Sequence, residues 1–211
     1  MRSGVRGRAS GAKLVLMTRS VSVIKIGGSL ARTDAARQLL CKLAAHKVRD
    51  VIVVPGGGEF ADSVRAAQPR QALSEQAAHH MALLAMHMMA VAMADLAPGF
   101  ALADSTSQFN AAWRDDKTPI WLPAPMVLAA RDIPASWDVT SDSLAAWLAG
   151  QVDAARLLLV KSRALPAGAH TAQALTEAGV VDACFARYVE RRRYSWTVVT
   201  GVDAALGELI E

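Results

Sequence analysis

Apolar residues along this chain recur with two periods in turn. From Val21 to Ile26 they alternate and are β-branched, then stop at Gly27-Gly28, which predicts a strand running into a tight turn. Ala36, Leu39, Leu40 and Leu43 return every three or four residues, the spacing of one helical face. Val51-Ile52-Val53-Val54 is apolar without a break and ends at Pro55 and three glycines, so it predicts a strand buried on both faces of a sheet. Helices are expected from about Glu59 to Ala67 and from about Leu73 to Leu96, and short strands at Ala101 to Ala103 and Ile120 to Leu122. A helix over Asp142 to Leu148 and a buried strand over Arg156 to Val160 come next. Thr171 to Ala178, Thr197 to Val199 and Ala204 to Ile210 supply a last helix, strand and helix. Strands alternating with helices predict an α/β fold, a three-layer αβα sandwich with a mainly parallel open sheet. With no internal repeat and no Pro/Ser-rich linker, residues 21–211 read as a single domain.

Composition narrows the class. At 211 residues, 53% hydrophobic and only 20% charged, with a mean hydropathy of +0.23, the chain buries a real core and is neither mainly disordered nor collagen-like. Cys41 and Cys184 are too few and too far apart for a disulfide framework or a Cys-type zinc site, which suits a reducing compartment, the cytoplasm. The sequence pI of about 9.4 suggests nucleic acid, but the charge is local. Arg2, Arg6, Arg8, Lys13 and Arg19 stand among the first twenty residues with no acid; without them the net charge goes from +4 to −1. A phosphate-tracking surface needs a basic body, so no nucleic-acid partner is expected.

The Gly, Ser and Arg content of residues 1–20 reads as a basic, disordered tail, and Met17 is an alternative start just before the first strand. Leu14 to Met17 is too short for a signal peptide's apolar core of about 7 to 15 residues. Gln76 to Ala94 carries no Asp, Glu, Lys or Arg and is the one candidate for a membrane span. Its Gln76, His79, His80 and His87 are costly in hydrocarbon, so it is expected to pack within the protein or between copies, not in a membrane. A homo-oligomer, dimer or higher, is the corresponding expectation.

In open parallel sheets ligands bind beyond the carboxyl ends of the strands, where the Gly-rich turns of this chain fall. Neither G-x-x-x-x-G-K-[ST] nor G-x-G-x-x-G occurs, which excludes Walker-type NTPases and ordinary dinucleotide dehydrogenases. Lys25 brings an ammonium to the end of the first strand. Gly27 and Gly28 then let backbone amides approach an anion, and Ser29 adds a hydroxyl at a helix start, so phosphate is the natural guest. Gly56, Gly57 and Gly58 repeat the arrangement after the second strand. Asp138-Val139-Thr140-Ser141-Asp142-Ser143 precedes the amphipathic run Leu144, Ala145, Leu148; Thr140 or Ser141 is placed to cap that helix, and Asp142 suits its positive end. Lys161 closes the strand Leu157 to Val160 in an otherwise apolar context. His79 and His80 are adjacent and share no helical face, so no metal pair is expected.

Taken in order, Val23-Ile-Lys-Ile-Gly-Gly-Ser-Leu30, Val54-Pro-Gly-Gly-Gly58, Asp138-Val-Thr-Ser-Asp-Ser-Leu-Ala-Ala-Trp-Leu-Ala149 and Leu158-Leu-Val-Lys-Ser162 resemble the signature segments of the amino acid kinase superfamily. That superfamily includes acetylglutamate, aspartate, uridylate and isopentenyl phosphate kinases. Within it, Ala78 to Met86 together with Trp137 to Ser143 most resemble the small kinases of methanofuran biosynthesis, a part of one-carbon metabolism. Those enzymes convert 5-(aminomethyl)-3-furanmethanol phosphate to its diphosphate.

The resemblance implies an ATP-dependent kinase, with Mg2+ brought by the nucleotide, acting on a small phosphorylated acceptor. It implies that Lys25 neutralises the transferring phosphoryl group and that Gly27, Gly28 and Ser29, with Thr140 and Ser141, surround the ATP phosphates. Lys161 contacts those phosphates and Asp142 organises the two lysines; the three are the expected catalytic residues, with no protein metal site. Gly56, Gly57 and Gly58 would hold the acceptor's phosphate, Trp137 its ring, and Asp138 or Asp62 its ammonium. In bacterial uridylate kinases a sugar-binding aspartate stands where this chain has His79, which speaks against UMP. Family members also follow the second lysine with an Asp-Gly turn, whereas Ser162-Arg-Ala-Leu-Pro-Ala-Gly168 stands here, so the purine contacts do not carry over. The remaining alternatives are a non-catalytic nucleotide- or oxyanion-binding protein on the same scaffold, or a kinase for another phosphomonoester such as UMP or isopentenyl phosphate.

Overall fold

A computed structural model describes residues 20–210 apart from 32, 47, 49, 169 and 191, with the backbone alone at 31 and 210. The expected tail thus lies outside the described residues, save Ser20. The chain runs β1 (Ser22–Ile26), α1 (Gly28–Ala31), α2 (Asp34–Ala45), β2 (Val51–Pro55), α3 (Gly58–Gln71), α4 (Glu75–Leu96), β3 (Phe100–Ala103), α5 (Thr106–Arg114), β4 (Thr118–Trp121) and α6 (Ala124–Ala129). It continues with α7 (Ser141–Gln151), β5 (Arg156–Lys161), α8 (Ala172–Glu177), α9 (Phe185–Val189), β6 (Ser195–Thr200) and α10 (Val202–Ile210). The six strands form one sheet in the order β3-β4-β2-β1-β5-β6. Every pairing is parallel.

Strand alternation divides the core into two layers. Val23, Ile52, Leu157 and Leu159 face one cluster with α7 and with Phe185 and Tyr188 of α9. Ile24, Ile26, Val53, Leu158 and Val160 face the other, with α2, α10 and Met89, Ala90 and Met93 of α4. Helices cover both faces, as the near-continuous apolar strands require.

Several helices differ from the periodicity. Residues Asp142 to Ala149 of α7 are all buried, so its expected amphipathic face is absent; sheet and α9 enclose it. α6 begins at Pro123-Ala124-Pro125, where proline in a first turn loses no intrahelical bond. α3 runs past Pro69, held in its last turn, and ends at Ala72 in the left-handed region (φ 49°).

α4 is long and apolar enough to cross a membrane by length and composition. It packs instead against α2, α3, α6 and strands β2 to β4, and its His87 Nε2 accepts the Ala124 N–H at 3.0 Å. One stripe remains open: Met81, Leu84, Met88 and Val91 are exposed at the three-four spacing of a helix seam. With no charge between Gln76 and Ala94, we propose that a second copy of the chain pairs along it. Sedimentation should return a dimer, and Leu84→Glu with Met88→Glu a monomer; a wild-type monomer at tens of micromolar contradicts the pairing.

Candidate active site

The register of the sheet brings two lysines to one place. Lys25 in β1 lies opposite Leu159 of β5, and Lys161 is two residues further along β5, so both side chains leave the same face at the carboxyl edge. That face carries α7, whose second residue is Asp142. Lys25 Nζ lies 2.8 Å from Asp142 Oδ1, and Lys161 Nζ donates to Oδ2 at 2.7 Å. All three are nearly dry, their side chains 6%, 7% and 15% exposed for Lys25, Asp142 and Lys161.

Burial pushes the Asp142 carboxyl up, but the two ammonium groups outweigh it and leave it below its ordinary value. Burial, then repulsion from Lys25, push Lys161 down to about 8, against the pull of Asp142 and Asp182. The array therefore holds one net positive charge in a site of low dielectric, where a developing phosphoryl charge is stabilised more than in water.

The two glycine turns meet beside it. A Cβ on Gly28 would lie 2.3 Å from Gly58 N, and one on Gly56 would lie 2.4 Å from Gly28 N, so only bare backbone fits. Their amides are not equivalent. Gly27 donates to Val160 O at 3.2 Å and Gly56 to Ile26 O at 2.9 Å, so these two N–H groups bind the sheet instead of the expected phosphate. The first amides of a helix have no intrahelical acceptor, which leaves Gly28 and Ser29 at the head of α1 and Gly58 at the head of α3 to face an anion. Ser29 Oγ is also 2.9 Å from Ser162 Oγ, tying the turn after β1 to the turn after β5.

From these turns a cavity of about 260 Å³ opens between α3, α4 and the segment before α7. Of the residues singled out in the sequence, Gly28, Ser29, Gly57, Gly58, Asp62, Trp137, Thr140 and Ser141 line it. Leu83, Met86 and Leu144 form an apolar wall, and Arg65, Glu75 and His79 add polar groups. His79 is held below its ordinary value by burial and by His80, so its imidazole stays neutral at pH 7.

Trp137 and Asp138 each have partners within the protein. The Trp137 indole donates to Gln68 Oε1 at 2.6 Å and carries the Arg65 guanidinium on its ring at 4.4 Å, so a protein cation already covers that face. Asp138 is exposed, outside the lining, and its Oδ2 accepts from the Ser136 hydroxyl in a local turn.

The sequence profile of the amino acid kinase family matches residues 20–163, which include both glycine turns, Asp142 and both lysines. The chain belongs to the amino acid kinase family. It is similar to the (5-(aminomethyl)furan-3-yl)methyl phosphate kinase of Methanocaldococcus jannaschii, with 30% identity over 141 residues, 65% of this chain and 63% of that relative. The match thus spans less than two thirds of the relative's length. Solved structures share the fold. The uridylate kinase of Archaeoglobus fulgidus (TM-score 0.65, 17% identity) covers 89% of this chain and 94% of its own. The UMP kinase of Ureaplasma parvum (TM-score 0.66, 15% identity) covers 90% and 96%. A carbamate kinase of Giardia lamblia, bound to AMP-PNP, aligns over 90% of this chain and 96% of its own with a TM-score of 0.57 and 9% identity.

For a member of the amino acid kinase family, the sequence left three residues unnoticed. Arg65 and Glu75 reach the cavity from α3 and the start of α4, and Asp182 reaches α7 from the crossover between β5 and β6. None stands in a glycine turn or at a strand end, the local signals available. Thr140 occupies the N-cap of α7 but makes no side-chain cap bond; its hydroxyl donates to Asp182 instead.

The depressed Lys161 gives a pH prediction. As pH rises through about 8 the free enzyme loses this charge, so kcat/KM should fall about tenfold per pH unit above it. Lys161→Arg should abolish that limb whatever its absolute rate, and a wild-type profile flat to pH 9.5 would contradict the assignment. The sign for stability is the reverse of a gain. A lysine lowered from 10.5 opposes folding fully below about pH 8, and the opposition fades between those values.

Proposed function

We propose that this protein transfers the γ-phosphoryl group of ATP to the phosphate of a small, amine-bearing phosphorylated acceptor, an aminomethyl-furan phosphate in methanofuran-type cofactor biosynthesis. The observation that carries the reading is the Asp142 carboxylate held between the buried Lys25 and the partly buried Lys161 beside paired glycine turns and a cavity. A storage or regulatory binder needs the turns but not an organising carboxylate between ammonium groups. The family and the named relative supply the reaction class.

The chemistry asks little of the protein beyond position and charge. A phosphomonoester with a second pKa near 6 is largely a dianion at pH 7, so its oxygen attacks without a general base. The bond from the γ-phosphorus to the β-bridging oxygen breaks, a bond to the acceptor's oxygen forms, and ADP leaves. Lys25 neutralises the group in flight, Lys161 the nucleotide phosphates, and Asp142 keeps the two ammonium groups in place. Mg2+ would arrive on the nucleotide phosphates, adding further neutralising charge.

The acceptor's ends make opposite demands. Its phosphate suits the amides at Gly28 and Gly58; its ring suits Leu83, Met86 and Leu144; its ammonium suits the acidic lining at Asp62 and Glu75. ADP release should therefore be fastest with 5-(aminomethyl)-3-furanmethanol phosphate, slower with its des-amino analogue, and near background with UMP, isopentenyl phosphate or no acceptor. Asp62→Asn with Glu75→Gln should raise KM for the amine at least tenfold and hardly change it for the des-amino compound, because a charge left without its partner is what costs affinity. Asp138→Asn should change neither. Equal rates on all acceptors would overturn the acceptor assignment.

A further inference from the structure

The crossover from β5 to β6 reaches back to the start of α7 through one carboxylate. Asp182 Oδ2 accepts from the Thr140 N–H at 2.9 Å, from the Thr140 hydroxyl at 2.8 Å and from the Ser143 N–H at 3.0 Å. Its Oδ1 accepts from the Ser143 hydroxyl. A second tie lies alongside, where the Cys184 N–H donates to Asp138 O at 3.0 Å. A helix ordinarily caps itself with its own N-cap side chain. Here Thr140 has that position without the bond, and a residue from beyond β5 caps the turn for it.

The capped turn is the one that carries the chemistry. Thr140 and Ser143, the residues Asp182 holds, flank Asp142 on either side in sequence. Thr140 and Ser141 also form part of the cavity wall. With backbone and hydroxyls of this turn fixed by four bonds to one charged group, the Asp142 carboxylate can reach Lys25 and Lys161 together in only a narrow range of helix positions.

We propose that Asp182 is a positioning residue for phosphoryl transfer, which sets the first turn of α7 so that the Asp142 carboxylate lies between Lys25 and Lys161. It touches no reacting atom and acts through Thr140 and Ser143. This rests on the kinase reading above, and its test is separable from the identity of the acceptor. Lys161 reports on the arrangement directly, since the charged groups acting on it are Lys25, Asp142 and Asp182.

The experiment compares the wild-type protein with Asp182→Ala and Asp182→Glu. Steady-state kcat and KM for ATP are measured with whichever phosphomonoester the wild type turns over, and the Lys161 titration is followed by NMR of the ε-carbon in apo protein. Asp182→Ala should lower kcat about a hundredfold with little change in KM for ATP, as a catalytic group displaced by an ångström does. Its Lys161 midpoint should drop below the wild type's, because Asp142 leaves its place and the Asp182 charge is gone. Asp182→Glu keeps the charge but pushes the carboxylate out by one methylene, and should still lose tenfold or more in kcat. A cap with a purely structural role would lower the unfolding temperature, leave kcat of both folded variants as it is, and leave the Lys161 midpoint unchanged in Asp182→Glu, which keeps the charge; that result overturns the proposal. If Asp182→Ala fails to fold, Asp182→Glu decides, and wild-type kcat in it overturns the proposal. The titration needs no acceptor, so a wrong acceptor leaves this outcome intact.

Discussion

Replacing Lys25 with alanine lowers kcat by roughly a hundredfold or more while the protein stays folded. The ammonium sits 2.8 Å from Asp142 Oδ1 and 3.8 Å from where a Cβ on Gly27 would lie, so its loss removes a charge beside the first glycine turn. Asp142 is not orphaned, because Lys161 still donates to Oδ2 at 2.7 Å, so no unpaired buried carboxylate unfolds the chain. The pH profile shifts with it. Lys161 is lowered by burial and then by Lys25; without Lys25 the alkaline limb of kcat/KM should move to higher pH. A variant with near-normal kcat, or with a limb displaced toward acid, would remove Lys25 from the role assigned to it.

Asp142→Asn has the opposite signature. The variant keeps the side chain's shape and removes the charge that the ammonium groups of Lys25 and Lys161 share. Lys161 then falls below about 8 and is largely neutral near pH 8, so kcat/KM drops by about a hundredfold or more and its alkaline limb moves toward acid. ATP binding by calorimetry should persist, since the glycine turns and Lys25 remain. Breaking a buried pair on one side costs about 3–5 kcal/mol, lessened here because Lys161 can release its proton. The wild-type carboxyl is held below its ordinary 3.8, so its stabilisation is complete above that value and lost as pH falls through the lower folded value. The gap in unfolding temperature between the two proteins should therefore narrow in acid. ATP binding lost with the residual rate intact would contradict the organising role.

The parts of this site visible in the sequence are those with short-range signals. Lys25 stands near the end of one apolar run and Lys161 at the end of another, Asp142 opens a helix after a Ser/Thr cluster, and a glycine pair and a glycine triplet follow strands; each can be read within about ten residues. What the sequence hid depends on partners from elsewhere. Whether Gly27 or Gly28 offers its amide to a phosphate is decided by Val160 O on a neighbouring strand. Trp137 lines the cavity, and that Arg65 from α3 stacks on its ring could not be read from the sequence around it. Asp182 follows a short helix in an unremarkable loop, and only the packing of the β5–β6 crossover against α7 gives it a task. The same holds for the fold. The long apolar periods of β1, β2, β5 and α4 were legible, whereas α9, with five residues, is shorter than two helical turns and shows no period. α5 is preceded by Ser105 and opens on Thr106-Ser107, which reads as loop until Phe109 is seen in the core and the helix against β3 and β4.

The most direct test of the central claim is 31P NMR of the protein with ATP, Mg2+ and 5-(aminomethyl)-3-furanmethanol phosphate. The account predicts loss of the γ-phosphate resonance, growth of ADP, and a new pair of coupled diphosphate signals in place of the acceptor's singlet, all absent with Lys25→Ala on the same timescale. Release of inorganic phosphate alone, or an acceptor singlet that persists while ATP is unchanged, would contradict transfer to that acceptor's phosphate by this array.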